Sequence, residues 1–131
     1  MVATKIVVRS YECDSYGHVN NAVYLHYLEH ARMAFLHKIG FDYKKIVALG
    51  YSLYVTHIDI FYKASAFLDD ELEIEVESKK FGIVRGTFHQ VIRKSDGTLC
   101  AEADVEWASI KDGKPCKLPE EFIVSGLKPK D

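Results

Sequence analysis

The sequence lacks the loops that bind nucleotides and the positive charge that a nucleic-acid partner requires. Neither G-x-G-x-x-G nor G-x-x-x-x-G-K-S/T occurs, so nucleotide-dependent chemistry has no motif here. The 131-residue chain has a formal net charge of -2 and no long basic run. Because DNA and RNA binding depends on clustered Lys and Arg, we expect no nucleic-acid partner.

Cysteine pairs and long apolar runs are also missing. The chain has only Cys13, Cys100 and Cys116, without a C-x-x-C spacing, so neither a disulfide framework nor a zinc knuckle is indicated. This cysteine usage fits a reducing compartment. The first residues lack the apolar segment of a secretory signal, and no run approaches the length of a membrane span. We therefore expect a cytoplasmic protein without a membrane span.

What the chain does contain is enough apolar sequence for one core. Its hydrophobic content is 48%, and 131 residues is a common size for one domain. Residues 1–131 are therefore predicted to form a single domain.

The longest regular pattern predicts a helix over residues 22–38, which contain neither Pro nor Gly. Asn20 or Asn21 is suited to the N-cap, and Gly40 to a left-handed C-terminal cap. An apolar stripe with helical spacing indicates that one face of this helix packs against another part of the protein. The stripe consists of Tyr24, Tyr27, Leu28, Ala31 and Phe35.

The rest of the chain is typical of strands, with a short helix at 41–49. Turn-forming residues at 94–97 and 111–113 separate the later strands, and Leu72 to Glu77 alternate between apolar and acidic side chains. The pattern predicts an antiparallel meander whose apolar face packs on the helix, an α+β arrangement. The predicted strands are 5–12, 52–64, 70–81, 83–95 and 98–111.

A polar turn, Asp14-Ser15-Tyr16-Gly17-His18-Val19-Asn20-Asn21, precedes the long helix. Backbone N–H groups at a helix start can hold an anion or polarise a carbonyl oxygen. If Asp14 lies near that carbonyl carbon, it can attack the carbon or deprotonate an attacking water, while the N–H groups stabilise the oxyanion. The same composition is also typical of an ordinary turn with an asparagine cap, and the residues alone leave both interpretations open.

Several segments together resemble a known family. The motif Asp-x-x-Gly-His-Val-Asn-Asn is followed by Tyr24, Glu29, Ala31 and Arg32, then by Phe61-Tyr62-Lys63-Ala64, Leu68-Asp69-Asp70-Glu71-Leu72-Glu73-Ile74 and Lys117-Leu118-Pro119. Over nearly the whole chain this resembles the hotdog-fold acyl-CoA thioesterases of the hydroxybenzoyl-CoA thioesterase and YbgC-like group. The resemblance implies a hotdog fold, in which one long helix is wrapped by a curved antiparallel five-stranded sheet.

The resemblance also implies roles for individual residues. Asp14 matches the catalytic aspartate, either as nucleophile or as general base, and the backbone N–H near Asn21 matches the donor that polarises the thioester carbonyl. Similarity to the plant acyl-carrier-protein thioesterases adds His18 to the catalytic set. Asn20, Asn21 and Tyr24 are expected to bind substrate, and no metal or cofactor is implied.

The match to the plant enzymes is incomplete. Their asparagine two residues after the aspartate, and their acidic residue on a later strand, correspond to Tyr16 and Ser65 here. Their full mechanism is therefore not carried over. Cys13 adjoins Asp14, but neighbours on an extended strand point to opposite faces, so we expect Asp14 rather than Cys13 to face the site.

The implied reaction is hydrolysis of an acyl-CoA to the free acid and coenzyme A, in a homodimer or homotetramer with the site between subunits. An acyl-carrier-protein thioester as substrate, a hotdog hydratase or dehydratase, and a non-catalytic acyl-CoA-binding module remain alternatives. Aromatic residues near the proposed site suit either a fatty or an aromatic acyl group, and the sequence leaves that choice open.

Two further patterns suggest other sites. His26-Tyr27-Leu28-Glu29-His30 is a literal H-x-x-E-H, but no third zinc ligand stands out, so solvated side chains on a helix are the preferred interpretation. Basic residues on the strands could bind coenzyme A phosphates, although exposed strands commonly carry Lys and Arg for solubility. These are Lys63, Lys79, Lys80, Arg85 and Arg93.

Overall fold

The computed structural model describes residues 2–130. The helices are α1 (Asn21–Lys38) and α2 (Tyr43–Ala48). The strands are β1 (Val2–Val7), β2 (Tyr51–Tyr62), β3 (Glu71–Phe81), β4 (Arg85–Lys94), β5 (Leu99–Lys111) and the two-residue β6 (Lys114–Pro115). Short 3-10 turns occupy Ser10–Glu12, Glu120–Phe122 and Ser125–Leu127. Neither α1 nor α2 combines the length and the apolar character that crossing a membrane would require.

Helix α1 begins and ends at the residues that its sequence indicated. The side-chain oxygen of Asn20 accepts a hydrogen bond from the Ala22 N–H at 2.9 Å, so Asn20 is the N-cap and Asn21 is the first helical residue. Gly40 has a φ of +83°, the left-handed conformation expected after a helix end. The buried side of α1 consists of Tyr24, Tyr27, Leu28, Ala31, Phe35 and Leu36.

The strands form one antiparallel sheet in the order β1-β3-β4-β5-β2, with β6 paired to the end of β5. The four strands β2 to β5 lie within two residues of their predicted bounds. Bulges between Val55 and His57 in β2, and between Ser78 and Lys80 in β3, bend the sheet. Strand β2 lies at one edge of the sheet and β1 at the other.

The prediction of a strand over 5–12 is wrong, because β1 ends at Val7 and a 3-10 turn occupies Ser10–Glu12. The Glu12 carboxylate causes this difference. It accepts a hydrogen bond from the Arg9 backbone N–H at 2.8 Å and binds the Arg9 guanidinium at 2.8 Å. These local contacts give the backbone partners that a sheet would otherwise supply.

A buried glutamine connects α1 to the centre of the sheet. Gln90 in β4 is fully buried; its Nε2 donates to the Leu28 carbonyl at 2.9 Å, and its Oε1 accepts from Arg32 at 3.1 Å. Because buried amides are costly unless both ends are paired, this bridge fixes how the helix lies on β4. Apolar side chains from α1 and the inner sheet face form the surrounding core.

Candidate active site

The turn before α1 holds Asp14 in one orientation. The Asp14 N–H donates to the His18 carbonyl at 2.8 Å, and Gly17, with a φ of +81°, donates to the Asp14 carbonyl at 3.0 Å. The Asp14 Oδ1 accepts from the N–H groups of Tyr16 at 2.9 Å and His18 at 3.3 Å. Within residues 2–130, no hydrogen bond engages Oδ2 of Asp14. One carboxylate oxygen is therefore anchored, and the other is available for chemistry.

The start of α1 lies beside this carboxylate. Asn21 is the first helical residue, and its backbone N–H makes no hydrogen bond to any residue that the structure describes. The Ala22 N–H is capped by Asn20, and the Val23 N–H donates to the Asn20 carbonyl at 2.9 Å. The Asn21 N–H is thus a free donor at the positive end of a helix, which suits an oxyanion.

A cavity of about 330 Å³ brings Asp14 and Asn21 together. Tyr24 and Tyr62 both line this cavity, and their rings pack edge-on with centroids 5.4 Å apart. Tyr62 donates to the Asn21 carbonyl at 3.0 Å, so the end of β2 is tied to the helix start. The lining comprises Asp14, His18, Val19, Asn21, Tyr24, Tyr62, Lys63, Ala64 and Ser65.

Four of the five predicted site residues line this cavity: Asp14, His18, Asn21 and Tyr24. Asn20 does not, because its side chain is used as the helix cap. The Tyr24 hydroxyl accepts a hydrogen bond from the Ala66 N–H at 2.9 Å, which fixes the position of the Tyr24 side chain in the cavity wall. Burial raises the pKa of Tyr24.

The His18 ring packs edge-on against Phe67, with centroids 5.0 Å apart, and makes no hydrogen bond to Asp14. It is the His18 backbone, not the imidazole, that contacts the carboxylate. Cys13 does not line the cavity; its Sγ lies 3.8 Å from the Arg9 carbonyl oxygen. Burial and the adjacent Asp14 carboxylate raise the pKa of the Cys13 thiol, which disfavours the thiolate.

Sequence reasoning missed the anchor beneath the turn. Glu12 is buried, and its Oε1 accepts a hydrogen bond from the Tyr27 hydroxyl at 2.8 Å, while its carbonyl accepts from the Asn20 N–H at 2.9 Å. Burial alone would raise the pKa of Glu12, but hydrogen bonds from Arg9 and Tyr27 outweigh it and lower the pKa. The only sequence signal was a charged residue just before Cys13-Asp14.

The H-x-x-E-H pattern on α1 and all but one of the basic residues singled out in the sequence lie outside this cavity. His26, Glu29 and His30 are exposed on α1, and residues 2–130 contain no group of three or more His, Cys, Asp or Glu side chains that could hold a metal. Of the basic strand residues, only Lys63 lines the cavity, with its ammonium 5.3 Å from the centre of the Phe61 ring. Lys79 instead pairs with Asp104 at 2.6 Å.

Comparisons with known proteins agree with this architecture. The model of the thioesterase-like superfamily matches residues 8–124. The chain is 34% identical over 108 residues to the long-chain acyl-CoA thioesterase FadM of Escherichia coli (strain K12), covering 82% of this chain and 81% of that protein. It is 32% identical over 117 residues to the acyl-CoA thioester hydrolase YbgC of Escherichia coli O6:H1, covering 86% and 85%.

A solved structure shows the same fold. The DHNA-CoA thioesterase from Staphylococcus aureus superposes with a TM-score of 0.84 at 26% identity, covering 88% of this chain and 78% of that one. The chain therefore belongs to the thioesterase-like superfamily. The predictions of a hotdog fold and of a thioester hydrolase of the acyl-CoA thioesterase class are confirmed.

Proposed function

We propose that this protein hydrolyses acyl-CoA thioesters at the cavity beside the start of α1, with Asp14 as nucleophile or general base. One observation carries the proposal: Asp14 lines the cavity, its Oδ1 is held by two backbone N–H groups, and its Oδ2 has no hydrogen-bond partner in the described part of the chain. A free donor, the Asn21 N–H, belongs to the same cavity wall. Acyl transfer to water needs this combination of a base or nucleophile and an oxyanion donor.

In the general-base route, Asp14 takes a proton from water as the water oxygen attacks the thioester carbonyl carbon. The carbonyl oxygen gains negative charge, which the Asn21 N–H and the helix start stabilise. The C–S bond then breaks, and the sulfur takes up the proton held by Asp14 to leave as the thiol of coenzyme A, which restores the Asp14 carboxylate. In the nucleophilic route, the Asp14 carboxylate attacks the acyl carbon and the C–S bond breaks, so that the coenzyme A thiolate leaves and a mixed anhydride forms. Water then hydrolyses that anhydride to the free acid and restores the Asp14 carboxylate.

The carrier of the acyl group is part of the proposal. Coenzyme A is preferred because the named relatives FadM and YbgC act on acyl-CoA. A structural neighbour from Staphylococcus aureus, with 21% identity, was solved in complex with CoA. Acyl carrier protein stays as the second carrier to be tested, since a relative from Arabidopsis thaliana is named an acyl-acyl carrier protein thioesterase.

The proposed working form is a dimer that pairs the exposed edge of β2. This strand is twelve residues long and exposes Tyr54 (55%), Val55 (44%) and Phe61 (56%) to solvent. A long, apolar, unpaired edge is unusual for a monomer and is well suited to pairing with a second copy. Tyr62 at the end of β2 lines the Asp14 cavity, so such an interface would border the site.

We also propose a cytoplasmic location, because the three cysteines are unpaired thiols, as is usual in a reducing compartment.

Thiol release from a panel of short, medium, long and aromatic acyl-CoAs tests this function, with Asp14→Asn measured in parallel. We expect release by the wild type and a collapse of that release in the variant. Matched acyl-carrier-protein thioesters identify the carrier. Enoyl and hydroxyacyl thioesters, followed through the conjugated double bond, would reveal a hydratase instead. Tight binding without turnover of any thioester would contradict the proposal and indicate a binding module.

A further inference from the structure

A second cavity lies under the later half of α1, away from Asp14. Its volume is about 220 Å³, larger than a 150 Å³ protein cavity that binds benzene. The lining residues that the argument uses are Arg32 and Glu29 on α1, Leu53 and Val55 on β2, and Trp107 on β5. We call this space the Arg32 cavity. Most of its wall is apolar, so it can take a ring or a short alkyl body.

Arg32 brings an unpaired positive charge to this apolar wall. Its guanidinium has five N–H donors, yet its one hydrogen bond within residues 2–130 goes to Gln90 Oε1 at 3.1 Å. Among the described residues, no carboxylate lies within 4.0 Å of it. Burial is the largest influence on the pKa of Arg32 and lowers it, and the charge of Glu29 offsets that shift only in part. Arg32 is half-buried, and a charge that has lost part of its water is usually paired.

The buried side chain of Gln90 fixes the position of the Arg32 guanidinium. Gln90 is fully buried, and its Nε2 is already bound to the Leu28 carbonyl, so its amide oxygen stays directed at Arg32. Trp107 also lines the cavity, and its indole Nε1 is buried without a hydrogen-bond acceptor among residues 2–130. Glu29 also lines the cavity, but it is exposed and solvated. Arg32 is therefore the positioned hydrogen-bond donor of this cavity.

The Arg32 cavity is separate from the Asp14 cavity of the same chain. The two share no lining residue, and Arg32 lies eleven positions after Asn21, which is roughly 16 Å of helix at 1.5 Å per residue. However, Val55 belongs both to the wall of the Arg32 cavity and to the exposed edge of β2. An occupant could therefore come from solution or from a second copy paired at that edge.

We propose that the Arg32 cavity is a binding site for a carboxylate carried on a small apolar body. The guanidinium fork matches a carboxylate through two parallel N–H donors, and the apolar wall takes the body. The carboxylate can belong to a free acid, or to the far end of an acyl group whose thioester lies in a second copy's Asp14 cavity. Only the second source rests on the proposed function.

Binding can be measured without any turnover, because Trp107 is the only tryptophan of the chain and lines the cavity. Benzoate and hexanoate are titrated against their neutral amides, with tryptophan fluorescence and calorimetry as readouts. We expect the acids to bind at least about tenfold more tightly than the amides, the scale of a hydrogen bond to a charged group. Equal affinity of acid and amide, or no binding at millimolar concentrations, would overturn the proposal.

Variants assign the binding to this cavity. Arg32→Gln should weaken the acids about tenfold or more and leave the amides unchanged, while Arg32→Lys should retain part of the preference. Since loss of Arg32 can disturb Gln90, Leu53→Phe provides an independent test by filling the cavity with Arg32 intact. It should weaken acid and amide alike. Thermal melting of each variant checks the fold, and unchanged acid binding in both Arg32→Gln and Leu53→Phe would refute the site.

The source of the carboxylate is decided by kinetics. If it is the end of an acyl group, adipoyl-CoA should have a lower KM than hexanoyl-CoA, and Arg32→Gln should remove that difference. If it is a free acid, the two KM values should be similar, and acid binding should persist in Asp14→Asn. If the protein has no thioesterase activity but still binds acids through Arg32, the proposed function is disproved and the carboxylate site is supported.

Discussion

At the scale of single residues, the carboxylate of Asp14 is asymmetric. Its Oδ1 accepts from two backbone N–H groups, and its Oδ2 is free within the described part of the chain. Fixing a reactive group before substrate arrives removes much of the cost of orienting it. The residues of the turn left its role open, and the family resemblance predicted Asp14, His18, Asn21 and Tyr24 as site residues. All four lie within eleven residues of each other and line one cavity.

His18 is predicted to matter less than Asp14. Its ring packs on Phe67, and only its backbone N–H contacts the carboxylate, so His18→Gln keeps that contact. We expect its kcat to fall by less than about tenfold, below the hundredfold or more typical of losing a general base. Steady-state kinetics on the best acyl-CoA measure this. A defect larger than that of Asp14→Asn would make His18 the principal catalytic group.

Contacts between residues far apart in sequence could not be predicted. Arg32 and Gln90 are 58 positions apart, and nothing in the local pattern of either segment indicates that they meet. Glu12 and Tyr27, 15 positions apart, are joined only because α1 turns back over the preceding loop. Such pairs depend on tertiary packing, and composition and periodicity do not show which distant residues will contact each other.

At the scale of elements, the Arg9–Glu12 turn connects β1 to the turn that holds Asp14. Hydrophobic periodicity predicted α1 and the four strands β2 to β5, because each has a repeated apolar face. It failed at residues 9–12, where hydrogen bonds between Arg9 and the Glu12 carboxylate replace the sheet ladder. Glu12 holds this turn against Tyr27 of α1, so the placement of Asp14 depends on a buried carboxylate that does no chemistry.

Glu12→Gln should therefore destabilise the protein. The amide keeps the shape but loses the charge-assisted bonds to Arg9 and Tyr27, an effect of about 1–3 kcal/mol for hydrogen bonds to a buried charged group. Chemical denaturation at neutral pH measures the free energy of unfolding. Glu120→Gln, on the exposed turn near the C-terminus, is the matched control and should change little. Equal stability of the two variants would contradict the anchoring role.

The same carboxylate predicts a pH dependence. Because the pKa of Glu12 is lowered in the folded state, its contribution is fully present above the ordinary glutamate value of about 4.3 and is lost as pH falls through the folded pKa. The gap in melting temperature between wild type and Glu12→Gln should be widest near neutral pH and narrow below about pH 4. A gap that does not vary with pH would show that Glu12 acts through packing alone.

At the scale of the whole molecule, the exposed edge of β2 predicts the assembly. Val55→Lys places a charge on this edge and should convert a dimer to a monomer, because a buried unpaired cation in an interface is costly. Val47→Lys on α2 is the matched control, since the two valines are similarly exposed, at 47% and 44% for Val47 and Val55. Light scattering should give twice the 14.9 kDa chain mass for wild type and Val47→Lys. A wild-type mass equal to one chain would exclude the dimer.

The central claim, that Asp14 performs the hydrolysis, is tested most directly by the kcat of Asp14→Asn on the best acyl-CoA substrate. The change is nearly isosteric, and Asp69→Asn, an exposed aspartate outside the cavity, controls for the loss of one charge. The account predicts a fall in kcat of about a hundredfold to ten-thousandfold for Asp14→Asn and little change for Asp69→Asn. Undiminished turnover by Asp14→Asn would remove Asp14 from the mechanism.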